Sequence, residues 1–192
     1  MDYFEKLSKC LLQIENGNID RLITLLSFAH DSYSTVFIAG NGGSAATASH
    51  FATDLSKSVT ENLLWDDGFT AISLSDNTSM ITAIGNDIDY RDIFSFQLER
   101  IGREGDLLIC LSVSGTSPNL IRAGTVARMN CMDVVSLTGQ IMPDITNNAT
   151  KHKEHLLDVS DFIIEVPSDD YGIVEDCHMA ILHNIASKMK NM

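Results

Sequence analysis

The sequence predicts an α/β protein built on a doubly wound, mostly parallel five-stranded sheet flanked by helices, and three observations predict it. Five apolar runs, over residues 36–39, 69–74, 107–111, 132–137 and 162–166, alternate with segments of helical period, the order of a sheet wound by crossover helices. The run Leu107-Leu108-Ile109-Cys110-Leu111 contains no polar residue, as expected of a parallel strand buried on both faces. Turns rich in glycine or serine, Gly40-Asn41-Gly42-Gly43-Ser44 and Ser112-Val113-Ser114-Gly115-Thr116-Ser117-Pro118, follow the first and third runs directly. Both therefore lie at the carboxyl edge of the sheet, where such folds bind ligands.

A chain of 192 residues, 44% of them hydrophobic, suits a single domain with a substantial core. Residues 1–30 form its N-terminal helical segment and 34–192 its α/β core. The formal net charge of -13, with the 13 basic residues scattered, excludes a nucleic-acid groove and an anionic membrane surface as partners. Cys10, Cys110, Cys131 and Cys177 are widely spaced without a Cys-x-x-Cys pair, which fits buried thiols in a reducing cytoplasm better than disulfides. The first residues lack the basic-then-apolar order of a signal peptide, and no apolar run approaches the roughly 20 residues needed to span a bilayer. A soluble, cytoplasmic protein is expected.

The elements follow in order. Phe4, Leu7, Leu11 and Ile14 recur at helical spacing, as do Ile19, Leu22, Ile23 and Leu26, with Asn16-Gly17-Asn18 interrupting them. Two helices, or one kinked helix, precede the first strand; such a segment either caps the core or serves subunit assembly. A helix after the Gly40 turn runs through Phe51, and residues 56–68 read as a polar surface loop. Asp76-Asn77-Thr78-Ser79 offers N-caps for a short helix over 80–84, which Gly85-Asn86-Asp87 ends. Phe94, Leu98 and Ile101 predict a helix over 91–101, and residues 102–106 turn into the third strand. Ser117 as N-cap and Pro118 at the first helical position open a helix over 119–129. Its Ala123, Gly124 and Ala127 allow a close approach to the sheet. Residues 139–158 are loose and polar, their histidines His152 and His155 read as solvated, and a terminal helix covers 173–192.

Two features carry chemistry. The Gly40 turn, with no lysine between Gly40 and Leu55 and no third glycine of a dinucleotide fingerprint, is neither a P-loop nor a Rossmann turn. It remains either a plain connection or an anion site at a helix N-terminus. The serine turn offers four hydroxyls beside free N–H groups, which suits a phosphomonoester better than a triphosphate with magnesium; the alternative is an ordinary capped turn. His50 and Asp54 fall one helical turn apart on one face. On the terminal helix, Glu175 and His183 are separated by roughly 12 Å along the axis, whereas a zinc ligand atom lies about 2 Å from its ion. If both serve one centre, they come from different subunits; His178 and His183 are otherwise core or interface residues.

The chain resembles the sugar isomerase (SIS) domain family. Within it the chain is similar to the phosphoheptose isomerases, which interconvert sedoheptulose 7-phosphate and D-glycero-D-manno-heptose 7-phosphate. The resemblance rests on Gly40-Asn41-Gly42-Gly43-Ser44, His50-Phe51-Ala52, Thr82-Ala83-Ile84-Gly85-Asn86-Asp87, Gly105-Asp106-Leu107-Leu108-Ile109, the serine turn through Asn119, and Ser136-Leu137-Thr138-Gly139. It implies an SIS-type fold whose N-terminal helices take part in oligomerisation, a homotetramer with intersubunit active sites, one zinc ion per site and no organic cofactor. Asn41, Gly42, Gly43, Asn86, Asp87, Ser112, Val113, Ser114 and Ser117 match the family's sugar-phosphate contacts. His50, Asp54, Glu175 and His183 match its metal positions, with Asp54 and Glu175 also counted among the substrate contacts. The catalytic acid/base pair implied is Asp54 and His183. Two departures stand out: the family typically carries glutamate at the position of Asp54 and glutamine at that of Glu175.

What these residues imply is an aldose–ketose isomerase, with a base to lift a proton beside the carbonyl and a polarising group for the enediolate. The alternatives are an isomerase of a different sugar phosphate, and a non-catalytic SIS protein resembling the relatives that assemble on a replication initiator. That regulatory group generally lacks the acid and the terminal-helix histidine, both present here as Asp54 and His183.

Overall fold

In the computed structural model, which describes residues 1–58, 68–141 and 154–190, the five expected strands form one sheet. They are β1 (Thr35–Gly40), β2 (Thr70–Ser73), β3 (Leu107–Ser112), β4 (Asp133–Thr138) and β5 (Phe162–Glu165), in the order β2-β1-β3-β4-β5. Every neighbouring pair is parallel, so the sheet is more uniform than the sequence predicts. The chain leaves β1 for β2 on one side and returns to β3 on the other. The crevice between β1 and β3 is therefore the topological switch point, where open α/β sheets bind ligands. Register places Gly40 opposite Leu111, so the glycine and serine turns emerge side by side.

The described residues contain seven α-helices: α1 (Tyr3–Gln13), α2 (Asn16–Asp31), α3 (Gly43–Thr53), α4 (Thr78–Asp87), α5 (Ser95–Ile101), α6 (Pro118–Met129) and α7 (Tyr171–Met189). Alternate strand residues serve opposite layers, because successive side chains point to opposite faces. Ile38, Ile109 and Leu111 pack with the apolar residues of α2, α3 and α7. Phe37, Ala39, Leu108 and Cys110 pack with those of α4, α5 and α6. All six residues of β3 are buried. One layer thus consists of α2, α3 and α7, and the residues that carry chemistry on α3 and α7 start from a common, fixed platform.

Several local expectations are corrected. Asn16-Gly17-Asn18 does not interrupt the N-terminal helices but opens α2; the break falls at Ile14 and Glu15, whose backbone is extended. The first turn of a helix tolerates such residues because its N–H groups lack intrahelical partners, and Asn18 uses its side chain to donate to the Ile163 carbonyl at 2.8 Å. Gly85 does not end α4, which runs to Asp87, since Tyr90 and Ile93 pack over Gly85. The helix expected over 91–101 is split into a 3-10 turn, Tyr90–Asp92, and α5, with Ile93 and Phe94 buried at the joint. The loop residues 59–67, residues 142–153 with His152, and residues 191–192 lie outside the described residues. His155 is described and is half-buried rather than solvated: its Nδ1 accepts the Leu157 N–H at 3.0 Å, and its ring packs against Gly115.

α2 caps the core through Ile19, Leu22, Ile23, Leu26 and Ala29. α1, closed at its start by a capping box between Asp2 and Glu5, buries only Cys10 and leaves Phe4 and Leu12 78% and 84% exposed. Cys10, Cys110 and Cys177 are buried free thiols as expected, while Cys131 is exposed. No helix among the described residues is long and apolar enough to cross a membrane.

Candidate active site

At the switch point, Gly42 precedes α3 with φ 56° and ψ -122°, a conformation that side chains rarely adopt. It turns the chain sharply enough that the N-terminus of α3 faces the crevice. Ser117 precedes α6 in extended conformation, but its hydroxyl makes no capping bond to the helix. Instead Ser112 Oγ lies 3.3 Å from Ser117 Oγ and accepts the Gly115 N–H at 3.1 Å. Ser114 Oγ accepts from the Thr116 N–H and hydroxyl, both at 3.2 Å. The serine turn is thus held by its own hydroxyls; Pro118 has no N–H and the Leu120 and Ile121 N–H groups bond the Ser117 carbonyl at 3.1 Å, so the Asn119 N–H is what the start of α6 leaves for a ligand.

Between the two turns lies a cavity of about 90 Å³ lined by Asn41, Ser112, Ser114, Ser117, Tyr171 and Glu175, among others. The N-termini of α3, α6 and α7 all border it, and helix N-termini favour anions. One anion is already there: the Glu175 carboxylate lies so close to Gly43 that a Cβ at that position would stand 2.6 Å from its Oε1. Val113 is buried, and its carbonyl accepts the Gly139 N–H at 2.9 Å, so it contributes backbone and not an exposed side chain. Asn86 and Asp87 are exposed at the end of α4. They join the site indirectly: the Tyr90 hydroxyl, three residues further on, donates to Asn41 Oδ1 at 3.2 Å.

A second cluster forms where α3 and α7 run on together. His50 on α3, Asp54 just past its end and His183 on α7 bring one ligand atom each within 4.8 Å of the others. The His50 and His183 Nε2 atoms are 3.2 Å apart, and Asp54 Oδ2 is 3.6 Å and 3.7 Å from them. Four ligands at zinc distances of 2.0–2.1 Å form a tetrahedron with edges of about 3.3–3.4 Å. The three donors therefore already make one face of such a tetrahedron, and their chemistry, two imidazoles and a carboxylate, suits zinc. Asp54 begins a π-helical turn, Asp54–Ser58, a distortion often found at functional sites. Its side chain is 18% exposed against about half for the two histidines.

Glu175 does not join this cluster within its own chain. It sits at the first cavity, two helical turns before His183, which the axial rise of roughly 12 Å between them anticipates. Within one chain, three of the four expected metal residues, His50, Asp54 and His183, come together, and Glu175 stays apart, as the expectation that it and His183 would serve one centre from different subunits requires. Sequence reasoning also missed Tyr90, Tyr171, His155 and the role of Asn119. The last is 2% exposed and forms a closed amide pair with Asn41. Only position could have suggested it, as the second residue of the helix that the serine turn opens.

Comparison with known proteins identifies the fold and the family. The SIS domain family matches residues 2–139. A phosphoheptose isomerase of Mycobacterium tuberculosis (strain ATCC 25177 / H37Ra) is 35% identical over 184 residues, covering 95% of this chain and 84% of that protein. One from Akkermansia muciniphila is 36% identical over 167 residues, 87% of this chain and 81% of that protein. Among solved structures, a phosphoheptose isomerase from Neisseria gonorrhoeae superposes with a TM-score of 0.81 at 26% identity, covering 99% and 96% of the two chains. With the switch-point cavity, the donor triangle and these relatives in view, the chain belongs to the SIS domain family, on its phosphoheptose isomerase branch.

Proposed function

We propose that this chain is a sugar-phosphate aldose–ketose isomerase interconverting sedoheptulose 7-phosphate and D-glycero-D-manno-heptose 7-phosphate. The observation that carries the reading is the joint presence, on α3 and α7, of an anion cavity at one end and a donor triangle of His50, Asp54 and His183 at the other. The hydroxyls of Ser112, Ser114 and Ser117, with the N–H groups that open α3 and the Asn119 N–H of α6, take the phosphate and turn its binding into orientation. Asn41, Gly42, Gly43, Asn86 and Asp87 meet the sugar. Asp54 and His183 manage the proton that moves between the two carbons of the enediolate. His50, Asp54 and His183 would hold a zinc ion, which when bound would supply Lewis acidity for the carbonyl oxygen. Asp54 cannot serve both tasks equally, because a metal-bound carboxylate is a poorer base. No organic cofactor is needed. Free buried thiols and a sugar-phosphate substrate support a cytoplasmic reaction, and the net charge of -13 argues against nucleic acid and anionic membranes as partners.

The site is shared between copies in a homotetramer. An extended seven-carbon chain with its phosphoester spans roughly 10 Å. Gly43 and Asp54 are roughly 16 Å apart along α3, and Glu175 and His183 roughly 12 Å along α7. A phosphate in one chain's cavity therefore leaves the carbonyl short of that chain's own triangle, and a second copy supplies the reacting groups. The exposed Phe4 and Leu12 of α1 support assembly through the N-terminal helices.

Turnover of sedoheptulose 7-phosphate by the purified, zinc-loaded protein tests the activity, with a panel of other sugar phosphates as comparison. Failure on every sugar refutes it. Sharing is tested by mixing a Ser114→Ala/Ser117→Ala chain with a His183→Gln chain. If sites are shared, about a quarter of the sites in random hybrids receive both intact halves, and activity returns; no recovery means each chain completes its own site.

A further inference from the structure

The side chain of Asn41 has little left to offer a ligand. Its Nδ2 donates to Asn119 Oδ1 at 3.0 Å, while its Oδ1 accepts from Asn119 Nδ2 at 2.8 Å and from the Tyr90 hydroxyl at 3.2 Å. An amide has two acceptor sites and two N–H donors, so only one N–H remains. Asn119 is 2% exposed, and Tyr90 is 58% exposed. The three residues come from three separate places: the β1–α3 turn, the first turn of α6 behind the serine turn, and the corner that follows Asn86 and Asp87. The amide pair ties the two phosphate turns to each other. The tyrosine hydroxyl ties the corner to both.

Resting on the sugar-phosphate reading above, we propose that Tyr90 is a positioning residue for the sugar. Through Asn41 its hydroxyl fixes the Asn86–Asp87 corner at one reach from the phosphate turns, and so favours a sugar phosphate over bare phosphate. The division of labour follows from connectivity. Removing the hydroxyl leaves the amide pair intact, and with it the phosphate grip. Removing a donor from the amide pair loosens both turns. The Tyr90 ring itself packs near Gly85, with Cδ2 3.8 Å from where a Cβ there would stand, so Tyr90→Phe deletes the hydrogen bond without deleting the packing.

The experiment measures calorimetric affinities for inorganic phosphate and for sedoheptulose 7-phosphate, with kcat and KM, on zinc-loaded wild type, Tyr90→Phe and Asn119→Asp. Tyr90→Phe keeps its phosphate affinity within about twofold and loses about five- to tenfold in affinity for the sugar phosphate, the range of one hydrogen bond. Its KM rises more than its kcat falls, and its melting temperature and zinc content stay at the wild-type level. Asn119→Asp, which keeps the size but replaces donor by acceptor, loses affinity for both ligands. A Tyr90→Phe protein that retains the wild-type preference for sugar phosphate overturns the positioning role alone. A wild type that binds the sugar phosphate no better than phosphate overturns this role and the sugar-phosphate reading together, so the two failures are told apart.

Discussion

Glu175 places a carboxylate where an anionic ligand is expected, and Glu175→Gln removes its charge while keeping its shape. In a cavity of about 90 Å³ lined by Glu175 and the serine turn, a bound phosphate sits within about 5 Å of the carboxylate. Even at the dielectric constant of water, charges of -1 and -2 at that distance repel by about 1.7 kcal/mol. Screening at physiological ionic strength, with a Debye length of about 8 Å, roughly halves this. Glu175→Gln is therefore expected to bind inorganic phosphate about fivefold more tightly at physiological salt and about fifteenfold more tightly at low salt. Titration calorimetry on zinc-free protein at two salt concentrations reads this directly. Equal or weaker binding by the variant at low salt refutes the reasoning, because it would mean that the carboxylate is turned away from the anion or that its hydrogen bonds outweigh its charge.

Asp54→Asn and His183→Gln each remove one corner of the donor triangle. Zinc affinity, read by competition with a chelator, should fall by more than the roughly 10–100-fold typical of losing an outer-shell partner, and exchange of the substrate's C–H proton with solvent should collapse; wild-type exchange in both removes them from the reaction. Gly40→Ala would put a Cβ 2.5 Å from the Ser44 carbonyl oxygen, and since that oxygen is backbone, the strain should lower stability by about 1–3 kcal/mol, seen as a fall of several degrees in thermal melting. His178 is 1% exposed, and among the described residues its ring nitrogens find at most a weak contact with the Thr138 backbone, so His178→Leu should raise stability at neutral pH by about 1–3 kcal/mol. Burial also holds the His178 pKa down at about 4; the unfolded chain then binds the extra proton between pH 6.5 and 4, and wild-type stability falls as pH drops through that window. That component, about 3 kcal/mol in full, should be absent from the denaturant midpoints of His178→Leu; an unchanged acid slope contradicts it.

The parts of this protein that could be read in the sequence are those with local causes. β3 declares itself because burial on both faces forbids polar residues over its whole length. The two turns declare themselves because only glycine, serine and proline satisfy a chain that must bend sharply from strand to helix. His50 and Asp54 are legible as neighbours because four residues is one turn of α-helix. What could not be read depends on packing at long range. His183 meets His50 across 133 residues and Asn119 meets Asn41 across 78, and no spacing rule connects them. The misread glycines have the same origin. Gly85 reads as a stop in isolation, yet Tyr90 and Ile93 pack over it within a continuing helix. The separation of Glu175 from His183 was legible, because eight residues of α-helix span roughly 12 Å; that Glu175 rests against Gly43 was not.

The two departures from the family pattern have one electrostatic consequence. Asp54, although one methylene shorter than glutamate, still closes the triangle at 3.6 and 3.7 Å from the two imidazole nitrogens. The chain therefore keeps a competent set of three donors with a formal charge of -1. If a second copy's Glu175 supplies the fourth, that charge becomes -2, against -1 with glutamine. A divalent ion would then be fully neutralised, held more firmly and made a weaker Lewis acid for the sugar's carbonyl. The same carboxylate, when it rests at the anion cavity of its own chain, opposes the phosphate. Firm metal retention and weak phosphate binding are thus linked through one residue, and Glu175→Gln should move both in opposite directions.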